Sequence, residues 1–354
     1  MSKVRVLVVE DSLTIRRRLC EVLSADPDIE VVGDAEDGNL AIELCLALRP
    51  NVMTLDMMLP TLNGLAVTEY IMAHQPTPIL VVSASTNRGE LFKTYEALAA
   101  GAIEVMEKPL ADDMDDGWER RFTSMVKLVA RVVPITHVRA LRSPRPGPGF
   151  APVPPFHPDG RACELIAIGA STGGPRAVVE VLKALPSNLK LPVLLVVHIG
   201  TPFGASFAEW LDGQTAHRVR FATEGQPISG PGVFLAPPDC HLVVQQRRLH
   251  LSRGPERHSC RPSVDVLFES VAIACGATAA ACLLTGMGHD GAHGLLMIRQ
   301  AGGFTIAQDE ASSVVYGMPR EAVLLNAAES VLPLAEIGPA LAALAQGSRL
   351  GVRS

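Results

Sequence analysis

A chain of 354 residues, 48% hydrophobic and 19% charged, has the balance of a globular protein with room for two cores, which excludes overall disorder. Its net charge of −6 does not favour a nucleic-acid partner. The seven cysteines are scattered singly without a C-x-x-C, so they read as reduced thiols of a cytoplasmic protein, and MSKVRVLVVEDS reaches acidic residues too early for a signal peptide.

Residues 3 to about 110 alternate between two hydrophobic periods. Strand-like runs fall at Val4–Val9, Ile29–Val32, Val52–Leu55, Ile79–Val82 and Ala102–Met106. Amphipathic stretches around Ile15–Leu23, Leu40–Leu48, Leu65–Met72 and Leu91–Ala99 separate them, and Trp118–Val132 supplies a last helix. Such alternation predicts right-handed crossovers and a parallel sheet covered on both faces. Ligands collect at the carboxyl ends of such strands, and five polar residues fall there: Glu10, Asp11, Asp56, Ser83 and Lys108, the last followed by Pro109. Grouped carboxylates repel one another unless a cation neutralises them; a hard ion such as Mg²⁺ suits oxygen ligands, and Lys108 offers a point charge to a phosphoryl group.

These residues lie in V-E-D-S (Val9–Ser12), D-M-M-L-P (Asp56–Pro60) with Gly64, V-V-S-A-S (Val81–Ser85) and E-K-P (Glu107–Pro109). The segment from 3 to about 130 resembles the response-regulator receiver domain. The resemblance implies a flavodoxin-like fold, Asp56 as phosphoacceptor, and Mg²⁺ held by Glu10, Asp11 and Asp56. It also implies that Ser83 and Lys108 bind the phosphoryl group, which a sensor histidine kinase supplies. Leu59-Pro60 replaces the usual Met-Pro, and Val105 stands where an aromatic residue is common.

From Pro134 to about Gly160 periodicity vanishes in a Pro- and Gly-rich stretch with several Arg, the composition of an extended spacer. The expected organisation is a receiver over 1–133, a linker over 134–160 and a second α/β domain over 161–354.

That second domain opens with Glu164–Pro175, ELIAIGASTGGP: an apolar strand, a glycine-rich turn, and a proline suited to the first turn of a helix. Ser171 in this turn fits either a nucleophile or a phosphate cradle. A helix over Ala177–Leu185 leads to the strand Val193–Val197, which ends in His198. The runs Gly232–Ala236, Leu242–Val244 and Leu249–Leu251 predict strands with a hairpin. Ser263–Ala274 predicts a helix and Ala279–Leu284 a buried strand ending in Thr285-Gly286-Met287-Gly288-His289-Asp290-Gly291. Val271–Gly288 resembles a membrane span, but Gly276, Thr278 and Thr285 interrupt it, and a buried helix followed by a strand explains it better, so no membrane insertion is expected. Phe304–Ala307 is a further strand, Met318-Pro319-Arg320-Glu321 opens a helix, and Pro339–Ala345 is the last helix, with Pro339 in its first turn.

Ser171, His198 and Asp290 thus share one sheet edge, which suits a nucleophile, its base and the carboxylate that orients the base. Backbone N–H groups of the turn at Met287 and of the helix after Ser171 are candidate oxyanion donors. His289 and His293 with Asp290 suggest a metal site, but no further ligand has matching spacing. A dinucleotide turn lacks the middle glycine of G-x-G-x-x-G and an acid after the next strand.

The motifs I-G-A-S-T-G-G (Ile168–Gly174), P-F-G-A-S-F-A (Pro202–Ala208), R-P-S-V-D-V-L-F (Arg261–Phe268), L-L-T-G-M-G-H-D-G (Leu283–Gly291) and Y-G-M-P-R-E-A (Tyr316–Ala322) closely resemble the catalytic domain of chemotaxis protein-glutamate methylesterases, the CheB family. The resemblance implies a Rossmann-like, doubly wound catalytic domain without a cofactor. It implies Ser171 as nucleophile, His198 as base, Asp290 as its carboxylate and Met287 as oxyanion contributor. The substrates implied are glutamate γ-methyl esters, and also glutamines, on the cytoplasmic helices of chemoreceptors. Ile199-Gly200 replaces the usual Met-Pro after the histidine. Receiver and esterase together imply a two-component response regulator in which the unphosphorylated receiver blocks the esterase edge. The rival reading is a signalling adaptor with an inactive esterase domain.

Overall fold

The computed structural model describes residues 3–84, 88–108, 116–132 and 163–347. They form two compact units, one on either side of the Pro-rich stretch. The expected linker over 134–160, and Pro109, lie outside the described residues.

The first unit is a five-stranded parallel sheet: β1 (Val4–Val9), β2 (Ile29–Ala35), β3 (Val52–Leu55), β4 (Ile79–Ser83) and β5 (Glu104–Glu107), in the order β2-β1-β3-β4-β5. Its helices are α1 (Leu13–Ser24), α2 (Gly38–Leu48), α3 (Gly64–His74), α4 (Arg88–Ala100) and α5 (Asp116–Val129). Val6, Leu7, Val8, Met53 and Leu55 are fully buried, as apolar runs sandwiched between helices must be. Side chains cap two of the helices: Asp37 accepts from Asn39 N (2.8 Å) and Leu40 N (3.0 Å), and Asn63 from Ala66 N (3.0 Å). Gly64 lies so close to β3 that a Cβ there would stand 2.4 Å from the Asp56 carbonyl oxygen.

The second unit holds a seven-stranded parallel sheet. Its strands are β6 (Leu165–Ala170), β7 (Pro192–Val197), β8 (Val219–Phe221), β10 (Gly232–Leu235), β13 (Ala279–Leu283), β14 (Phe304–Gln308) and β15 (Ser330–Leu332), in the order β15-β14-β13-β6-β7-β10-β8. Three short antiparallel strands, β9 (Gln226–Pro227), β11 (His241–Gln245) and β12 (Arg248–Ser252), form a separate sheet that contains the expected hairpin. The helices are α6 (Gly174–Ala184), α7 (Thr201–Gln214), α8 (Val264–Cys275), α9 (Ala292–Gln300), α10 (Met318–Leu324) and α11 (Leu334–Gly347). The chain leaves β6 towards β7 on one side and returns to β13 on the other. The carboxyl edge between β6 and β13 is therefore a switch point, where open α/β sheets form clefts.

Two glycines set how near α8 can come to this edge. A Cβ on Gly169 would lie 2.2 Å from Val264 Cγ1, and one on Gly291 would lie 2.6 Å from the same atom. Val264, Phe268 and Val271 are fully buried against the sheet, so the missing side chains let the amino end of α8 rest on the strand ends.

Five elements differ from expectation. α7 has a low-contrast sequence, with Pro202 in its first turn and Gly204 and Gly213 within it, which hides its period. β8, β9 and β15 are two or three residues long, too short to show alternation. α11 begins at Leu334, and Pro339 lies inside it instead of in its first turn. Burial of Ile337, Leu341 and Leu344, and contact of Gly338 with α6 close enough for a Cβ to meet Ala184 Cβ at 2.5 Å, offset the backbone bond that proline removes. No described helix is long and apolar enough to cross a membrane.

Overpacking beneath α8 is the most direct test of this arrangement. Gly169→Val should cost about 2 kcal/mol of stability, because Val264 has no free volume into which to move. Urea unfolding followed by Trp210, in a Trp118→Phe background, would read it; an unchanged midpoint would mean that α8 does not depend on the close approach.

Candidate active site

Ser171 follows β6 directly and is half-buried. Its N–H donates to Thr285 O (3.0 Å) and its carbonyl accepts from Gly174 N (2.6 Å). Gly173 takes a left-handed conformation (φ 75°), and α6 begins at Gly174 with Pro175 in its first turn, as expected. The turn after β13 is fastened to this one. Thr285 Oγ1 donates to Thr172 O (3.0 Å) and accepts from Val315 N (2.9 Å), while Thr285 N donates to the buried Gln308 side chain (2.8 Å). A Cβ on Gly286 would lie 2.7 Å from Ser171 Cβ, so only glycine lets the Met287 turn stand this near the serine. Among the described residues the N–H groups of Thr172, Gly173 and Met287 make no hydrogen bond, which leaves them available to an oxyanion. Met287 itself is 57% exposed.

His198 follows β7, and its N–H donates to Ala170 O (3.0 Å), beside Ser171. The imidazole Nε2 meets Asp290 Oδ2 at 2.9 Å. Asp290 is 2% exposed, and three further donors reach it: Ser263 Oγ (2.7 Å) and Asp265 N (3.0 Å) on Oδ1, and Val264 N (2.7 Å) on Oδ2. Val264 and Asp265 are the first residues of α8, so the carboxylate also faces the positive end of that helix. Burial opposes ionisation of Asp290, but the His198 ring and the backbone and hydroxyl donors outweigh it and hold its pKa below the ordinary carboxylate value.

Burial likewise opposes a charge on His198, yet Asp290 on one side and Cys260 on the other raise its pKa to about 9. Cys260 Sγ lies 3.7 Å from Nδ1, the ring nitrogen that Asp290 does not hold. Ser171 Oγ makes no hydrogen bond among the described residues, so the serine and histidine share an edge without being joined. Such bonds are often loose until substrate is bound. Ile199, after the histidine, lines a small hollow with Phe207, Phe221, Pro238 and Pro262.

The sequence did not reveal Ser263, Asp265 or Cys260 as neighbours of the histidine–carboxylate pair. Ser263 is recognisable as the N-cap of α8, with its hydroxyl accepting from Val266 N (3.4 Å), but its second bond depends on tertiary packing. His289 and His293 do not converge on a metal. His289 Nε2 meets His258 Nδ1 at 2.8 Å, whereas His293 Nδ1 meets Glu269 Oε1 at 3.3 Å. Ligand atoms of His198, Cys260 and Asp290, and of His258, Asp265 and Asp290, do gather within 4.8 Å. In both groups the acceptor sites of Asp290 are already filled by the four donors, which does not suit a metal ligand.

In the first unit the five expected residues do come together. Glu10 and Asp56 are buried and Asp11 is exposed, with carboxylate oxygens within 4.8 Å of one another. Lys108 Nζ lies 2.8 Å from Glu10 Oε2 and 2.8 Å from Asp56 Oδ2. Burial pushes the Glu10 carboxyl up to about 7. Burial opposes the charge on Lys108, but Asp56 and Glu10 more than offset it and raise its pKa. Ser83 Oγ, at the end of β4, is buried and has no hydrogen-bond partner among the described residues. An orphaned buried hydroxyl beside a cation and three carboxylates fits a site that takes a phosphoryl group with a hard divalent ion.

The family described as CheB methylesterase matches residues 166–341, and the response regulator receiver domain matches residues 6–114. Along almost the whole chain, the protein-glutamate methylesterase/protein-glutamine glutaminase of Nitrosospira multiformis is 39% identical over 342 residues, covering 96% of each chain. The second enzyme of that name from Anaeromyxobacter dehalogenans is 42% identical over 340 residues, again covering 96% of each. The chain belongs to this methylesterase family. The crystal structure of the Thermotoga maritima CheB methylesterase catalytic domain is 32% identical, covers 52% of this chain and 98% of that one, and has a TM-score of 0.49.

The histidine–carboxylate pair makes a definite prediction in this family member. In Asp290→Asn the charge that opposes burial is lost, so the pKa of His198, followed by NMR, should fall from about 9 to below 6.5. Because the folded value is raised, the pair stabilises the fold fully below about 6.5, and that contribution is lost as pH rises through about 9. The stability gap between wild type and variant should therefore narrow over the same window.

Proposed function

We propose that the chain is a phosphorylation-controlled protein-glutamate methylesterase, able also to deamidate glutamine, that acts on the cytoplasmic helices of chemoreceptors in chemotaxis or related two-component signalling. The reading rests above all on the buried Asp290 carboxylate, which holds His198 by Nε2 at the edge where Ser171 stands. Residues 1–133 act as the receiver, 134–160 as a linker and 161–354 as the catalytic domain, in the cytoplasm.

Ser171 is the nucleophile. Its Oγ attacks the γ-carbonyl carbon of the methyl ester while His198 Nδ1 accepts its proton. Asp290 fixes the tautomer and stabilises the imidazolium. The N–H groups of Thr172, Gly173 and Met287 are placed to receive the charge that develops on the carbonyl oxygen. Collapse of the tetrahedral intermediate breaks the bond to the methoxy oxygen, and His198 returns the proton so that methanol leaves. Water then attacks the acyl-serine with the same base, freeing glutamate and Ser171. With a glutamine, ammonia leaves by the same route.

Control of this chemistry belongs to Asp56, the phosphoacceptor for a chemotaxis-type sensor histidine kinase. Glu10, Asp11 and Asp56 would hold Mg²⁺, which neutralises phosphoryl oxygens when bound. Lys108 pairs with the phosphoryl group, and the Ser83 hydroxyl, which has no partner among the described residues, gains one. Phosphorylation adds charge and acceptor oxygens at this edge, a change able to bias a two-state domain.

Release of methanol from methylated receptor membranes tests the enzyme reading. Ser171→Ala or His198→Ala should lower turnover at least about a thousandfold, since triad members act as a unit. A near-normal rate in either variant would refute the triad and favour the inactive adaptor. A small phosphodonor should stimulate the wild type and leave Asp56→Ala unstimulated. Equal stimulation of both would remove Asp56 from the account.

A further inference from the structure

The sulfur beside His198 has no part in ester hydrolysis as derived above, yet it faces the nitrogen that must take the serine proton. Cys260 Sγ and His198 Nδ1 are 3.7 Å apart, and Asp290 holds the opposite ring nitrogen at 2.9 Å. Cysteine, imidazole and carboxylate thus form a line in the order found where a thiol is activated by a base.

The local backbone is shaped to keep the sulfur there. Arg257 and Cys260 exchange both backbone hydrogen bonds (3.1 and 2.9 Å) across a tight turn in which His258 (φ 53°) and Ser259 (φ 59°) are both left-handed. L-residues in that region cost on the order of 1 kcal/mol each, so the turn must be held from outside. It is: His258 Nε2 meets the fully buried Asp265 at 3.0 Å, and Arg257 pairs with Glu269 at 2.6 Å.

The other cysteines do not share this setting. Burial pushes the thiols of Cys20 and Cys163 up to about 11, and those of Cys45, Cys275 and Cys282 upward as well. Cys240 is half-exposed like Cys260, but no imidazole lies within hydrogen-bond reach of it among the described residues.

We propose that Cys260 is a modification site of the esterase: a thiol paired with His198 whose oxidation to the sulfenic acid by a peroxide takes the base out of action. The thiolate sulfur attacks one peroxide oxygen and the O–O bond breaks. The departing hydroxide takes the proton carried by His198 and leaves as water, the sulfur having lost the two electrons that the peroxide gains. The sulfenic acid then occupies Nδ1 and the space into which Ser171 must deliver its proton. Excess dithiothreitol reverses the change through a mixed disulfide. The inhibition rests on the esterase reading above; the thiol–imidazole pairing does not.

The full-length protein allows both parts to be measured. Iodoacetamide labelling at pH 6, resolved by peptide mass, should modify Cys260 at least about tenfold faster than Cys20, Cys240 and Cys275. His198→Gln should abolish that advantage. Hydrogen peroxide should abolish methanol release together with trapping of one dimedone adduct at Cys260. Dithiothreitol should restore release if added before the trap, and Cys260→Ser should keep its own untreated rate under peroxide. Labelling of Cys260 no faster than Cys240, or full methanol release from protein oxidised at Cys260, would overturn the proposal. If untreated wild type releases no methanol, the esterase reading fails, while the labelling contrast still decides the pairing.

Discussion

A carboxylate taken out of water must find every partner it needs inside the protein, and Asp290 finds four. The Ser263 hydroxyl, two N–H groups at the start of α8 and the His198 ring together outweigh the burial that would otherwise neutralise it. Leaving any of these donors unmatched would cost about 1–3 kcal/mol, so the constellation is held as one piece. It joins three parts distant in sequence: the end of β7, the amino end of α8 and the turn after β13. The last of these parts is in turn fastened to the Ser171 turn through Thr285.

That dependence explains the glycines. α8 can present its first N–H groups to Asp290 only because Gly169 and Gly291 leave space for Val264. The Met287 turn can stand over Ser171 only because Gly286 has no side chain. The glycine-rich look of the strand ends is therefore a requirement of close packing around one ionised group, in addition to any need for donors. In the first unit a related arrangement appears with opposite polarity, since one half-buried ammonium, Lys108, is shared between Glu10 and Asp56 while Ser83 has no partner among the described residues.

Much of this was legible in the sequence, for reasons that also mark its limits. Continuous apolar runs ending in polar residues announce parallel strands and their carboxyl ends, so Asp56, Ser171 and His198 could be placed on sheet edges from periodicity alone. What the pattern could not carry was contact between segments with no shared period. Ser263 reads as an ordinary N-cap, and only the nearness of α8 to β6 turns it towards Asp290. Cys260 sits in a turn formed by two left-handed non-glycine residues, a conformation that composition argues against. Pro339 misled in the other direction, because local propensity favours a helix start there and burial of Ile337 and Leu341 overrides it.

The central claim is that Asp290 holds His198 by Nε2 as a strong base whose other ring nitrogen serves Ser171. The dependence of kcat/KM for methanol release on pH tests it most directly. A rise of about tenfold per unit is expected from pH 6, levelling near 9 as His198 loses its proton, with the break displaced downward in the residual activity of Asp290→Asn, where the carboxylate charge is gone. A profile that is flat from pH 6 to 9, or a break that Asp290→Asn leaves unmoved, would contradict the claim.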